Sequence, residues 1–82
     1  FIILPGGFGT LEELFETITL KQLKYIQKPI VLLNVHHYFD ELISFIDKAV
    51  ELRFISDKDR QLIFITESCE EALNYIEKHL KV

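Results

Sequence analysis

Three short, continuous apolar runs constrain the fold of this chain more than any other feature. They span residues 1–4, 30–35 and 62–65. Apolar residues that do not alternate with polar ones are typical of strands buried on both faces, as in a parallel sheet. Segments with apolar residues at helical spacing follow each run. The order β-α-β-α-β-α therefore predicts an α/β chain with right-handed crossovers and a doubly wound parallel sheet.

The predicted helices each have an apolar face that would pack on the sheet. The first face begins at Leu11, the second at Leu42 and the third at Ala72. Their members are Leu11, Leu14, Phe15 and Ile18, then Leu42, Ile43, Phe45, Ile46, Ala49 and Val50, and finally Ala72, Leu73, Ile76 and Leu80. Ser68 and Glu71 form a capping-box pattern that predicts where the third helix starts. A short helical turn is expected after Ser56.

Composition limits the class of protein. The chain has 82 residues and a net charge of −4, with no polybasic cluster of the kind that binds nucleic acid. No apolar run approaches the ~20 residues of a membrane span. The single cysteine excludes an internal disulfide and suits a reducing cytoplasm. Because the chain begins without Met inside a predicted strand, we expect residues 1–82 to be the C-terminal part of one larger domain.

A glycine-rich segment, residues 4–13, joins the first run to the first predicted helix. It contains all three glycines of the chain, Gly6, Gly7 and Gly9. Backbone N–H groups can crowd around an anion in such a loop, and the dipole of the following helix also favours negative charge. No Gly-Lys-Ser/Thr follows, so the segment is not a P-loop, and it lacks the third glycine of G-x-G-x-x-G. The sequence thus predicts a phosphate site built from backbone donors.

Residues 4–13 resemble the P-G-G-x-G-T-x-x-E signature of the Lonely Guy family. These enzymes are nucleoside 5′-monophosphate phosphoribohydrolases that release cytokinin bases, and they were long mislabelled as lysine decarboxylases. Every fixed position is matched, by Pro5, Gly6, Gly7, Gly9, Thr10 and Glu13. The similarity continues through Thr19, Gln22-Leu23, Lys28-Pro29, residues 32–35 and residues 44–50, about two thirds of the chain.

The resemblance implies a Rossmann-like fold, a homodimer and hydrolysis of the N-glycosidic bond of AMP-type nucleotides without a metal or an organic cofactor. The substrate phosphate would bind at Gly6, Gly7, Phe8, Gly9 and Thr10. Glu13 would be the catalytic carboxylate, and Thr19 would lie near the substrate. The family's catalytic arginine lies upstream of Phe1, so residues 1–82 alone are expected to be inactive. Departures from the family pattern at Leu20, Lys24, Ile26 and His36-His37 bear on the base pocket and the dimer contact.

Alternative interpretations stay open at this stage. Thr10 and Glu13 also fit a capping box, in which the carboxylate would serve the helix and not a substrate. The glycine-rich segment could be only a tight turn, and Glu12 is expected to be a solvated acid in the first turn of the helix. The protein could also be a non-catalytic nucleotide-binding module, or a structural or oligomerisation domain in which the loop is vestigial. Lysine decarboxylation ranks far lower, because no lysine lies beside the glycines to carry pyridoxal phosphate.

Five further polar residues carry weaker predictions. His36 and His37 are expected to border the pocket or cap the next helix, since adjacent histidines on an extended segment diverge and no third metal ligand has suitable spacing. Gln22 on the apolar face indicates either a pocket or dimer role or a hydrogen-bonded core amide. Cys69 is expected to be a small packing residue, and His79 a surface residue near a helix end.

Overall fold

A computed structural model describes residues 1–80, and in it three parallel strands form one sheet in the order β1-β2-β3. Strand β1 is Ile2–Ile3, β2 is Ile30–Leu33 and β3 is Ile63–Thr66. Ile2 pairs with Val31, and Ile30 pairs with Ile63. The α/β class and the parallel pairing are confirmed. Across residues 1–80 the strand order shows no reversal, so the doubly wound topology stays a prediction.

Four helices connect and follow the strands in the predicted alternation. They are α1 (Phe8–Gln22), α2 (Asp40–Glu51), the short α3 (Asp57–Arg60) and α4 (Cys69–His79). A 3₁₀ turn over Val35–His37 separates β2 from α2. The prediction that β2 continues to Val35 is wrong, because the Asn34 side chain bonds the following turn and the chain leaves the sheet there.

Two apolar clusters occupy opposite faces of the sheet, because successive side chains of β2 point in opposite directions. Ile30 and Leu32 pack with Leu14 of α1 and with the start of α2. Val31 and Leu33 pack against Ala72 of α4. All four β2 side chains are buried. Helices therefore cover both faces of the central strand, which accounts for its continuous apolar run.

Serine caps fix the starts of the two later helices. The Ser56 side chain accepts a hydrogen bond from Asp59 N–H at 3.0 Å, and Ser68 accepts one from Glu71 N–H at 3.1 Å. Both predicted helix starts are confirmed. A side-chain oxygen at this position satisfies one of the N–H groups that a helix leaves without a partner.

The predicted apolar faces are too wide. Phe45 in α2 is 67% exposed and Leu73 in α4 is 59% exposed, and Phe15 and Leu80 are also exposed. Each of these helices buries only a narrow stripe, which includes Leu14 in α1, Ile46 in α2 and Ala72 in α4. Neighbouring apolar residues therefore remain on the surface. In the part of the chain that the structure describes, no helix has both the length and the apolarity to cross a membrane.

Candidate functional site

The carboxyl ends of all three strands meet at one edge of the sheet, where ligands bind in open α/β folds. The end of β2 is tied to the end of β3, because Asn34 N–H donates to the carbonyl of Thr66 at 2.7 Å. It is also tied to the loop after β1, because the Tyr38 hydroxyl donates to the carbonyl of Gly6 at 2.6 Å. The glycine-rich segment and the end of β2 thus share one edge, as predicted.

Helix α1 begins inside the glycine-rich segment and has no side-chain cap. Gly7 is the N-cap residue, and Phe8, Gly9 and Thr10 form the first turn. The N–H groups of a first helical turn have no partner within the helix. No acidic side chain lies in that turn to compete with an incoming anion. The segment therefore presents a run of free backbone donors together with the positive end of the helix dipole.

The capping-box interpretation of Thr10 and Glu13 is wrong. It requires Thr10 to be the N-cap residue, but the helix begins at Phe8 and not near Leu11. Glu13 therefore lies in the second turn of α1, beyond the third helical position from which a capping-box carboxylate bonds the N-cap N–H group. The early start is compatible with glycine at position 6, where a side chain would collide with that of Thr10.

The three glycines have different surroundings. A Cβ atom at Gly6 would lie 2.0 Å from Oγ1 of Thr10, so a larger residue does not fit there. A Cβ atom at Gly7 or Gly9 would meet nothing within 4 Å. None of the three has a positive φ angle. Packing therefore explains the glycine at position 6 only, and the bare backbone at positions 7 and 9 faces open space.

Glu13 is exposed and lies about one and a half helical turns beyond Phe8. Within residues 1–80 its carboxylate makes no ion pair. Helical side chains tilt towards the helix N-terminus, so this carboxylate leans back towards the free donors. Glu12 is exposed, as predicted, but it lies beyond the first turn of α1, so the prediction of a first-turn acid is wrong.

Thr19 is not brought close to the other predicted site residues. It lies nine positions after Thr10, roughly 13 Å along the helix axis and on the opposite side of α1. Its hydroxyl donates to the carbonyl of Phe15 at 2.9 Å. The structure therefore gathers the glycine-rich segment and Glu13, whereas Thr19 remains a prediction of the resemblance.

The turn after β2, residues 34–40, is fastened by the buried side chain of Asn34. Its Oδ1 accepts from Phe39 N–H at 2.7 Å, and its Nδ2 donates to Asp40 at 2.8 Å. These bonds, and that of Tyr38 to Gly6, were not predicted. A polar Asn at the end of an apolar run was the available signal, because a buried amide needs partners.

The two histidines lie in this turn, and both have positive φ angles. His37 Nδ1 is 3.4 Å from Asp40, and its Nε2 is 3.3 Å from Glu67, which follows β3. The histidines therefore border the edge of the sheet that carries the glycine-rich segment. Within residues 1–80 no group of three or more His, Cys, Asp or Glu side chains could hold a metal ion.

The remaining singled-out residues lie elsewhere. Gln22 is an exposed residue whose amide donates to Asp59 at 2.8 Å, so the core-amide alternative is wrong. Gln22 borders an apolar pocket of about 190 Å³, and none of the residues 6–10 lines that pocket.

Cys69 is exposed at the start of α4 beside Leu4 and Leu33, so the prediction of a buried packing residue is wrong. His79 is exposed near the end of α4, as predicted, and its Nδ1–H donates to the Tyr75 carbonyl at 2.8 Å.

One lysine of α1 has a perturbed pKa. Partial burial lowers the pKa of Lys21, in the last turn of α1, below its ordinary value. It lies 13 positions after Phe8, roughly 20 Å along the helix from the free N–H groups. Lys21 therefore does not stand where a Schiff base at the glycine-rich segment would need it.

Comparison with known proteins gives one family. The family model described as "Possible lysine decarboxylase" matches residues 1–76. The match extends through most of α4, beyond the two thirds of the chain on which the resemblance rested. Strand β3 and most of α4 are therefore part of the family similarity.

Curated proteins support the same assignment. The chain is 51% identical over 86 residues to the cytokinin riboside 5'-monophosphate phosphoribohydrolase LOG1 of Arabidopsis thaliana, covering all of this chain and 40% of that protein. It is 52% identical over 79 residues to LOG4 of the same plant, which bears the same enzyme name, covering 96% of this chain and 37% of that protein. The chain thus spans about two fifths of the length of these curated relatives.

Proposed function

The chain belongs to the Lonely Guy family, and on that premise we propose that the full-length protein hydrolyses the N-glycosidic bond of purine nucleoside 5′-monophosphates. AMP and N6-modified AMPs are the proposed substrates, and the free base and ribose 5-phosphate are the products. One observation carries the proposal: a carboxylate with no ion-pair partner in residues 1–80 lies about one and a half turns beyond an uncapped, glycine-rich helix start. The names of the relatives, about half identical to this chain, supply the reaction.

The 5′-phosphate would bind at residues 6–10. Its oxygens would accept hydrogen bonds from the N–H groups of Gly7, Phe8, Gly9 and Thr10, with the helix dipole adding to the attraction. The open space at Gly7 and Gly9 supports this assignment, because an anion could reach the backbone there without meeting a side chain. Gly6 would contribute by accommodating the Thr10 side chain and so letting the helix begin early.

Glu13 would act on the sugar. As the bond from ribose C1′ to the base breaks, its electron pair leaves with the base and positive charge develops at C1′ and the ring oxygen. A nearby carboxylate stabilises that charge, as in glycoside hydrolysis. The oxygen of a water molecule bonds to C1′. One water proton is transferred to the base, and the other stays on that oxygen, which becomes the new C1′ hydroxyl group. Fixing the phosphate on the first turn would hold the sugar near Glu13.

The other parts of the proposal concern the whole protein. We propose a homodimer in the cytoplasm, with no metal or organic cofactor, and a Rossmann-like domain of which residues 1–82 form the C-terminal part. Strands beyond the edge strand β1 would complete a doubly wound sheet. The catalytic arginine that the family resemblance implies would come from that upstream part.

The test is substitution of Glu13 in the full-length protein. Glu13→Gln should lower kcat for AMP at least a hundredfold, by about the contribution of a catalytic acid or base. Its Kd for AMP should stay within about threefold of the wild type, because the phosphate donors are untouched. Glu12→Gln is the matched control, since it removes the neighbouring exposed carboxylate, and it should retain activity. Release of free base and of ribose 5-phosphate is measured by chromatography.

Two outcomes would contradict the proposal. Full activity of the Glu13→Gln variant would remove the carboxylate from the mechanism. Tight AMP binding by the wild type, with no release of base from AMP or from N6-modified AMPs, would instead indicate a non-catalytic nucleotide-binding module.

A further inference from the structure

The peptide group between Gly6 and Gly7 is held from outside its own loop. Its carbonyl oxygen accepts the Tyr38 hydroxyl proton at 2.6 Å, across 32 positions of sequence. In a planar trans peptide the C=O and N–H bonds point in opposite directions. A contact that fixes the Gly6 carbonyl therefore also fixes the direction of the Gly7 N–H group. A Cβ atom at Gly7 would meet nothing within 4 Å, so this peptide borders open space.

Tyr38 is itself firmly placed, although 53% of its surface is exposed. Its ring packs edge-on against Phe39, with ring centroids 5.0 Å apart, and Phe39 is buried in the core. Tyr38 N–H donates to the Val35 carbonyl at 3.0 Å. The turn is further held by the bond from Phe39 N–H to the buried Asn34 side chain. The hydroxyl therefore reaches Gly6 from a fixed support on the end of β2.

We propose that Tyr38 is a positioning residue for the substrate phosphate, acting through the Gly6–Gly7 peptide; this rests on the proposed function of residues 6–10. The hydroxyl holds the Gly7 N–H group in its binding direction before the ligand arrives. It also polarises the peptide, because a hydrogen bond to a carbonyl strengthens the N–H donor of the same group. Tyr38 makes no contact with the reacting sugar in this arrangement, so its effect falls on binding and not on bond cleavage.

The test is Tyr38→Phe in the full-length protein, which removes the hydroxyl and keeps the ring on Phe39. We expect the Kd for AMP, measured by calorimetry, to rise about fivefold, the usual effect of one hydrogen bond. In steady-state assays KM should rise by a similar factor while kcat stays within about twofold. Structural damage alone would give the opposite pattern, since a smaller folded fraction lowers kcat and leaves KM unchanged.

Tyr25→Phe is the matched control. Tyr25 is 76% exposed, lies beyond the end of α1, and its hydroxyl makes no hydrogen bond within residues 1–80. This variant should keep the wild-type Kd and KM. An unchanged Kd in Tyr38→Phe, or a loss confined to kcat, would overturn the positioning role.

The same measurements separate this inference from the proposed reaction. If the wild type binds AMP without hydrolysing it and Tyr38→Phe weakens that binding, the reaction fails and the positioning role stands. If the wild type hydrolyses AMP and the Tyr38→Phe variant keeps the wild-type Kd and KM, the positioning role fails and the reaction stands. Absence of wild-type binding to both AMP and inorganic phosphate would overturn both.

Discussion

Gly6 is the glycine of residues 4–13 that packing requires. Gly6→Ala would place a Cβ atom 2.0 Å from Thr10 Oγ1 and 2.9 Å from Thr10 Cβ, and the second contact cannot be relieved by rotating the Thr10 side chain. We expect a loss of about 1–3 kcal/mol in the free energy of unfolding, as for other overpacked sites. Urea unfolding of the full-length variant measures this loss. A stability equal to that of the wild type would show that the loop can move away from α1.

At Gly9 the same substitution, glycine to alanine, should have the opposite effect on stability. It lies in the first turn of α1 with open space beside its Cα atom. Gly9→Ala should therefore raise the free energy of unfolding by about 0.5–1 kcal/mol, because alanine loses less backbone entropy in a helix. The added methyl group should nevertheless weaken AMP binding, measured as a higher Kd in calorimetry. Tighter or unchanged binding would mean that the phosphate does not approach this face.

At the residue scale, the sequence could predict members of the candidate site but not all their contacts. Glu13 was recognised from the signature, but its competing role as a cap depended on where α1 begins. That boundary is set by the close fit of Gly6 against Thr10, which spacing does not encode. The bond from Tyr38 to Gly6 depends on how two strand ends meet in space, so no local pattern could predict it.

At the scale of single elements, the start of α4 is the clearest case of a local signal that fixes a boundary. Ser68 accepts a hydrogen bond from Glu71 N–H. Ser68→Ala should lower the free energy of unfolding by about 1 kcal/mol, the usual effect of losing an N-cap. Ser44→Ala is the matched control, because Ser44 is exposed inside α2 and alanine favours a helix there. Equal losses in the two variants, measured by urea unfolding, would contradict the capping role.

The turn over residues 34–40 should be the most sensitive connection between elements. Asn34 is buried, and its amide makes two hydrogen bonds that alanine cannot replace. Asn34→Ala leaves Phe39 N–H without this partner, so we expect a loss of about 1–3 kcal/mol in the free energy of unfolding. Because the turn supports Tyr38, the Kd for AMP should rise as well. A stability loss without any change in Kd would separate the turn from the phosphate site.

Element boundaries were predicted less well than element types, for a physical reason. The apolar run of β2 exists because helices bury both faces of this strand, so the run of apolar residues predicts the strand directly. Where β2 stops depends on one buried amide, and where α1 starts depends on the fit of Gly6 against the Thr10 side chain. Helix faces were predicted too wide, because apolar residues such as Phe45 stay exposed in the described part of the chain.

On the scale of the whole molecule, the exposed apolar surface beside β1 bears on how residues 1–82 behave alone. β1 is a two-residue edge strand, and Ile2, Leu4 and Leu73 are all exposed around an apolar hollow that also reaches Leu33. Monomeric proteins seldom leave such groups contiguous unless another surface covers them. The curated relatives are more than twice as long as this chain, so they contain further segments that could do so.

We therefore expect Leu73→Gln to have different effects in the two contexts. In the 82-residue polypeptide the side chain is 59% exposed, so the change should alter the free energy of unfolding by less than about 0.5 kcal/mol. In the full-length protein, where the proposed strands beyond β1 would bury this surface, the loss should reach about 2 kcal/mol. Asn74→Gln, on the exposed side of α4, is the control and should be neutral in both. Equal effects of Leu73→Gln in both contexts would mean that the upstream part packs elsewhere, and the doubly wound arrangement would then have to be abandoned.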